Sequence, residues 1–179
     1  ELHIGTFTEQ GTYLAAISRL DELIELGVTA IELMPIAESP GRWNWGYDGV
    51  DLFAPRRTYG TPSELRQLVD AAHQRDLAVL LDVVYNHLGP EGNYWGEFGP
   101  YLSARHGTPW GDALNFDENG SDVVRAFVMA NATYWIDEFH FDGLRVDAVH
   151  CMADDRDPHI VTEIGDAIAP VRAGSDREI

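Results

Sequence analysis

The stretch from Leu77 to Tyr85, LAVLLDVVY, constrains the fold more than any other part of the chain. Only Asp82 interrupts the apolar run, and its length suits a strand better than a helix. Side chains alternate along a strand, so a run apolar at nearly every position must be covered on both faces. A parallel sheet flanked by helices provides that cover. The remaining sequence alternates to match. His3 to Thr8 reads as a first strand, Ala30 to Ile36 as a second and Phe141 to Val149 as a fourth. Tyr13 to Leu26 reads as a helix with Leu14, Ile17, Leu20 and Ile24 on one face, stopped by Gly27. Thr61-Pro62-Ser63-Glu64 is a capping box with proline at the first helical position. Leu65, Leu68, Val69 and Ala72 form the buried stripe of the helix it opens, which ends near Arg75. Ser121 is expected to cap a third helix through about Phe139, with a fourth from His159 to Val171.

Strands and helices in this order imply an α/β fold with a parallel sheet and right-handed crossovers. No glycine-rich phosphate loop follows a strand, which disfavours a doubly wound nucleotide fold. Asn86, His87, Asp147 and His150 fall at strand C-terminal ends or just beyond them. An eight-stranded barrel carries its active site there. About four β/α units are half of such a barrel, which takes about 250 residues when complete. The expected architecture is the N-terminal part of a (β/α)8 TIM barrel. Residues 1–179 then form a partial domain, a fragment of a larger one, with a loop insertion at about 88–120.

Composition removes some partners. A formal net charge of −18 argues against nucleic acid and anionic membrane surfaces. No run approaches the roughly 18 apolar residues of a membrane span. A single cysteine, Cys151, leaves no internal disulfide and suits a reducing, cytoplasmic compartment.

The chemistry concentrates in GLRVDAVH, Gly143 to His150. Arg145 and Asp147 lie two apart on a strand and so point to the same side. A carboxylate beside a permanent guanidinium charge is kept ionised, available as a nucleophile or to stabilise a developing cation. DVVYNH, Asp82 to His87, puts Asp82, Val84 and Asn86 on one face at the end of the third strand. The loop after the second strand carries RWNWGYDGV, Arg42 to Val50.

Together, DVVYNH, GLRVDAVH and the NWGYD loop resemble the first signature regions of glycoside hydrolase family 13, the α-amylase family. The resemblance implies Asp147 as catalytic nucleophile and Arg145 as the residue that orients it. It implies Tyr47 stacked on the sugar where the bond is cut, and His87 and His150 bonded to sugar hydroxyls. Asp82 and Asn86 would support the site, Asp82 against Arg145. The family's general acid, a Glu ending the fifth strand, is expected to lie outside this chain. Glu163 falls within the fourth helix and Glu178 before the catalytic end of the fifth strand, so neither substitutes for it. No metal and no organic cofactor is expected.

ELHIGTFT, AIELMPI, NWGYDGVDLFAP and NHLGPEGNYW further resemble family members that cut the α-1,4 bond beside the trehalose end of malto-oligosyltrehalose. The expected partners are a malto-oligosaccharide or malto-oligosyltrehalose substrate and the remainder of the parent barrel. A glucan-branching or other glucanotransferase, sharing the covalent intermediate, is the alternative reaction. A non-catalytic, sugar-binding half-barrel is the alternative of another class. A divalent-metal hydrolase fits poorly, because the spacing matches no compact ligand motif such as HExxH. Two aromatic groups stay open. Tyr94, Trp95, Phe98, Tyr101 and Trp110 line sugar subsites or form a satellite core, and Trp43 or Trp45 faces substrate.

Overall fold

The computed structural model describes residues 1–173. Along the chain run α1 (Ile4–Phe7), α2 (Tyr13–Ile17), α3 (Leu20–Glu25), β1 (Ala30–Leu33), β2 (Ala37–Glu38) and β3 (Asp51–Pro55). Then come α4 (Pro62–His73), β4 (Ala78–Val83), α5 (Trp95–Phe98), β5 (Leu102–Thr108) and β6 (Gly111–Leu114). The last are α6 (Ser121–Phe139), β7 (Gly143–Val146), a 3-10 turn Val149–Cys151 and α7 (Ile160–Ala173).

β1, β4 and β7 form a parallel sheet in that order, with helical stretches in each connection. β4 is the middle strand, as its nearly unbroken apolarity requires. Val79, Leu81 and Val83 are buried in the core shared with Leu65, Leu68, Val69 and Ala72 of α4. The capping box opens α4 as expected: Thr61 Oγ1 accepts from the Glu64 amide and Glu64 accepts from the Thr61 amide. On the other flank, Asn131 of α6 is buried and ties three elements together. Its Oδ1 accepts from the Tyr85 hydroxyl and Trp135 Nε1, and its Nδ2 donates to the Leu52 carbonyl.

Several local expectations fail. His3 to Thr8 is not a strand. Only Leu2 bridges Leu33 in parallel, and the His3 carbonyl then accepts from the Thr6 and Phe7 amides to start a helical turn. Ile4 and Phe7 are three apart, a helical spacing on one face, which the alternating reading missed. The helix expected over Tyr13 to Leu26 is broken at Ser18-Arg19 into α2 and α3. Tyr13, Ala16 and Leu20 form its buried face, leaving Leu14 and Ile24 exposed. Gly27 does end the unit, at φ +83°. Ser121 is the first residue of α6 rather than its cap, which is Gly120 in a left-handed conformation. Residues 88–120 are not irregular throughout: β5 and β6 pair as an antiparallel hairpin. β7 also stops at Val146, short of the Val149 expected, because Ala148 turns left-handed at φ +40°.

Candidate active site

The sheet register creates the site. Asp82 of β4 pairs directly with Arg145 of β7, so two oppositely charged side chains leave neighbouring strands at the same height. Arg145 Nη1 donates to Asp82 Oδ1 and Oδ2 at 3.0 and 2.9 Å, and to Asp147 Oδ1 at 2.6 Å. Asp147 continues the ladder one step past β7, its amide donating to the Val83 carbonyl at 2.9 Å. Asn86 Nδ2 reaches both the carbonyl and Oδ2 of Asp147, at 3.0 and 3.2 Å. Each carboxylate oxygen of Asp147 therefore has a donor.

Asn86 commits its amide nitrogen to Asp147, so its oxygen must be the acceptor facing His87. His87 Nδ1 is then the donor of the His87–Asn86 hydrogen bond. Trp110, from the tip of the β5–β6 hairpin, stacks on the His87 ring at 5.3 Å and 28° and stays half exposed.

Tyr47 reaches the same cluster from the loop between β2 and β3, its hydroxyl donating to Asp82 Oδ2 at 2.8 Å. Glycines decide how that loop runs. A Cβ on Gly46 would lie 2.0 Å from the Pro35 carbonyl oxygen, at φ +99°, and one on Gly89 would lie 2.2 Å from the Asp48 carbonyl. Beneath the loop, buried Arg56 donates to the carbonyls of Asn44 and Gly41 and to the Tyr59 hydroxyl.

Electrostatics separates the two carboxylates. Burial pushes the Asp82 carboxyl up to about 6, against the opposing pull of the Tyr47 hydroxyl and the Arg145 guanidinium. Arg145 is held above its ordinary value. Burial disfavours its charge, but hydrogen bonds to Asp147 and Asp82 outweigh that. Tyr47 is raised, first by burial and then by its hydrogen bond to Asp82. Burial lowers His87, with the charges of Asp147 and Asp48 pulling the other way. Asp147 is more open than Asp82: its side chain is 17% exposed against 1%. The arrangement presents one reachable, doubly hydrogen-bonded carboxylate backed by a buried one.

The structure thus brings together Tyr47, Asp82, Asn86, His87, Arg145 and Asp147. His150 stands apart, exposed on the 3-10 turn, with no hydrogen bond to the cluster among the described residues. Glu163 on α7 accepts from buried Arg125 at 2.8 Å, an ion pair that shares no hydrogen-bond partner with these groups among the described residues, and Glu178 lies outside the described residues. The aromatic loop divides between its two readings. Trp95 and Tyr101 pack edge-on with each other and with Phe127 as a satellite core, whereas Tyr94, Phe98 and Trp110 are exposed. Trp43 is exposed with Arg42 over its ring, and it lines a separate cleft of about 620 Å³ that none of the clustered residues enters.

Sequence reasoning missed Arg56 and Arg125. Both are arginines in segments that otherwise read as loop or apolar helix. It also missed one potential ligand group among the described residues, His106, Asp117 and Asp155, whose ligand atoms lie within 4.8 Å of one another. Arg105 Nη2 already sits among them, at 3.0, 3.0 and 2.8 Å, supplying the positive charge a metal would bring.

The family described as "Alpha amylase, catalytic domain" matches residues 5–106. The malto-oligosyltrehalose trehalohydrolase of Saccharolobus solfataricus is 57% identical over 168 residues, covering 94% of this chain and 30% of that protein. That of Arthrobacter ramosus is 52% identical over 164 residues, covering 92% and 28%. A crystal structure of a candidate alpha amylase from Salmonella typhimurium is similar with a TM-score of 0.90 at 45% identity, over 94% of this chain and 29% of that one. The chain spans about 30% of the length of such relatives. With a parallel sheet that aims its carboxylates from strand ends, and a family match over more than half of its residues, this chain belongs to the α-amylase family, glycoside hydrolase family 13, and carries part of its barrel domain.

Proposed function

We propose that this chain supplies the nucleophile-bearing part of a retaining α-glucan hydrolase that releases trehalose from malto-oligosyltrehalose. The observation that carries the reading is the hydrogen-bonded row Asn86–Asp147–Arg145–Asp82–Tyr47 at the strand ends. Residues 1–179 would be part of the catalytic domain, with 88–120 as an insertion beside the site, and the single cysteine fits a cytoplasmic location.

Cleaving an acetal develops oxocarbenium character at the anomeric carbon. Asp147, held by two donors and open to solvent on one side, attacks that carbon and forms a glycosyl ester while the leaving oxygen takes a proton. Water then displaces Asp147, restoring the carboxylate with retained configuration. Arg145 sets the approach of Asp147 through its Oδ1. Asp82 fixes Arg145 and the Tyr47 hydroxyl at once, so the Tyr47 ring lies as a platform for the sugar. His87, oriented by Asn86, presents its remaining ring nitrogen to a sugar hydroxyl, and His150 joins only when substrate draws it in. Protonation of the leaving group falls to a carboxylic acid elsewhere in the full-length protein, roughly 5–5.5 Å from Asp147 in a retaining enzyme.

The test is product analysis with the full-length protein. Malto-oligosyltrehalose should yield free trehalose and a malto-oligosaccharide, whereas the 179-residue chain alone should show no turnover. Transfer of glucan segments to new branch points on amylose, without trehalose release, would replace this reading with a transferase. Binding without any cleavage would leave a sugar-binding module.

A further inference from the structure

Asn44 connects the catalytic cluster to the core beneath it. Trp43 and Trp45 on either side of it are exposed, yet Asn44 itself is partly buried. Its Oδ1 accepts from the Gly46 amide at 2.7 Å, and its Nδ2 donates to Asp48 Oδ2 at 2.8 Å. The partners dictate that orientation of the amide, since a backbone N–H only donates and a carboxylate only accepts. One side chain therefore holds both chain neighbours of Tyr47.

Asn44 is fixed in turn. Its carbonyl accepts from Arg56 Nη1 at 2.7 Å and lies 3.0 Å from His3 Nε2. Arg56 is fully buried and also donates to the Gly41 carbonyl and the Tyr59 hydroxyl. Tyr59 Oη, buried as well, lies 2.8 Å from His3 Nε2. A guanidinium taken out of water needs every acceptor it has, so it grips those carbonyls firmly. Asn44 thus moves with the core and not with the exposed tryptophans.

Tyr47 needs such a support. Its hydroxyl is tied to Asp82 Oδ2, which fixes only the far end of the ring. A ring anchored at one end still tilts when its backbone moves, whereas a platform for a sugar must keep one plane. We propose that Asn44 is a positioning residue for the reaction, bracing Gly46 and Asp48 so that the Tyr47 ring keeps its plane under the sugar. The proposal rests on the sugar-platform reading of Tyr47 given above. Asn44 acts through Tyr47, without touching the reacting atoms itself.

The experiment is a double-mutant cycle on kcat, in the full-length protein with malto-oligosyltrehalose as substrate. Asn44→Ala keeps the carbonyl that Arg56 and His3 hold, so Tm should fall only slightly. The same substitution should lower kcat roughly tenfold to a hundredfold, the effect of a displacement on the order of 1 Å, with KM changed far less. In a Tyr47→Ala background it should change kcat by less than about twofold, because the brace then has nothing to position. An exchange of roles supplies the rescue. Asn44→Asp alone sets two carboxylates against each other and should also lower kcat. Combined with Asp48→Asn it restores an acceptor for the Gly46 amide and an amide–carboxylate bond, and should return most of the lost kcat. Equal losses in the two Tyr47 backgrounds overturn the proposal, and so does a folded exchange variant that recovers nothing. Should Asn44→Ala fail to fold, the cycle is run with Asn44→Ser, whose hydroxyl still accepts from the Gly46 amide but does not span to Asp48. An effect independent of Tyr47 again rejects the proposal. Hydrogen exchange on the unmodified protein needs no variant: the Gly46 amide must be protected, and rapid exchange there rejects the brace. Absence of trehalose release by the unmodified protein strikes the catalytic reading instead. The same cycle then reads the Kd of maltoheptaose, on which additive losses still reject the brace.

Discussion

Asp82 is the side chain on which burial and charge compete most directly. Its folded value of about 6 lies above the ordinary 3.8, so the folded state holds its proton more tightly than the unfolded one. Stability tied to this group is therefore full below pH 4 and is lost as pH rises toward 6, by about 3 kcal/mol at most. Carbon-13 NMR should find its carboxyl titrating near 6. Tyr47→Phe removes a hydrogen bond to the ionised form and should move that midpoint higher. A midpoint near 4 that ignores the substitution would contradict the burial argument. Asp147 differs in kind. Asp147→Asn keeps the shape but removes the carboxylate charge, and under the mechanism proposed above kcat of the full-length protein should fall by on the order of a thousandfold or more, with glucan still bound. Single-turnover assays would expose any smaller effect. Arg145–Asp147 was legible in the sequence because strand alternation puts i and i+2 on one side. Asp82 as the partner of Arg145 was implied by the family resemblance alone, and the register that sets the two side by side supplies the physical reason.

Elements carry the site in different ways. The strands contribute by register, while the loop before Tyr47 is shaped by close backbone contact. Gly46→Ala would drive a methyl into the Pro35 carbonyl at φ +99°, which the backbone must yield to. It should cost more than about 2 kcal/mol and lower kcat at least tenfold by shifting Tyr47. Gly27→Ala is the control. It has a similar φ of +83° but open space around it, so it should cost only about 1 kcal/mol and leave catalysis alone. Denaturant unfolding with parallel kinetics separates the two, and equal effects would reject the contact as the cause. The capping box before α4 was readable letter by letter, since its chemistry is local. The break between α2 and α3 was not. Leu14, Ile17, Leu20 and Ile24 satisfy a helical period, yet packing chose Tyr13, Ala16 and Leu20 as the inner face.

Across the whole molecule, Arg125 joins more elements than any residue of the site. Almost fully buried on α6, it donates to Asp154 and Glu163 side chains and to the Phe116 and Pro158 carbonyls. It thereby anchors the segment that follows β7. Arg125→Ala leaves the buried Asp154 carboxylate without its cation and should cost about 3–5 kcal/mol. Replacing both by apolar residues of similar volume should recover only part of that, because Asp154 Oδ2 also accepts from the Ile160 amide at the start of α7. Chemical denaturation of the full-length protein measures both, and full recovery would show that the helix contact contributes nothing. What the sequence determined alone were features of short range or strong periodicity: a parallel strand within Leu77 to Tyr85, the α4 cap, and the pairing of Arg145 with Asp147. What only the tertiary structure decided were contacts between residues far apart in the chain. These are Asp82 with the Tyr47 hydroxyl, and Arg125 with Asp154 and Glu163. Periodicity reports which side of an element faces inward, whereas partner choice depends on register and loop path, which no single segment contains.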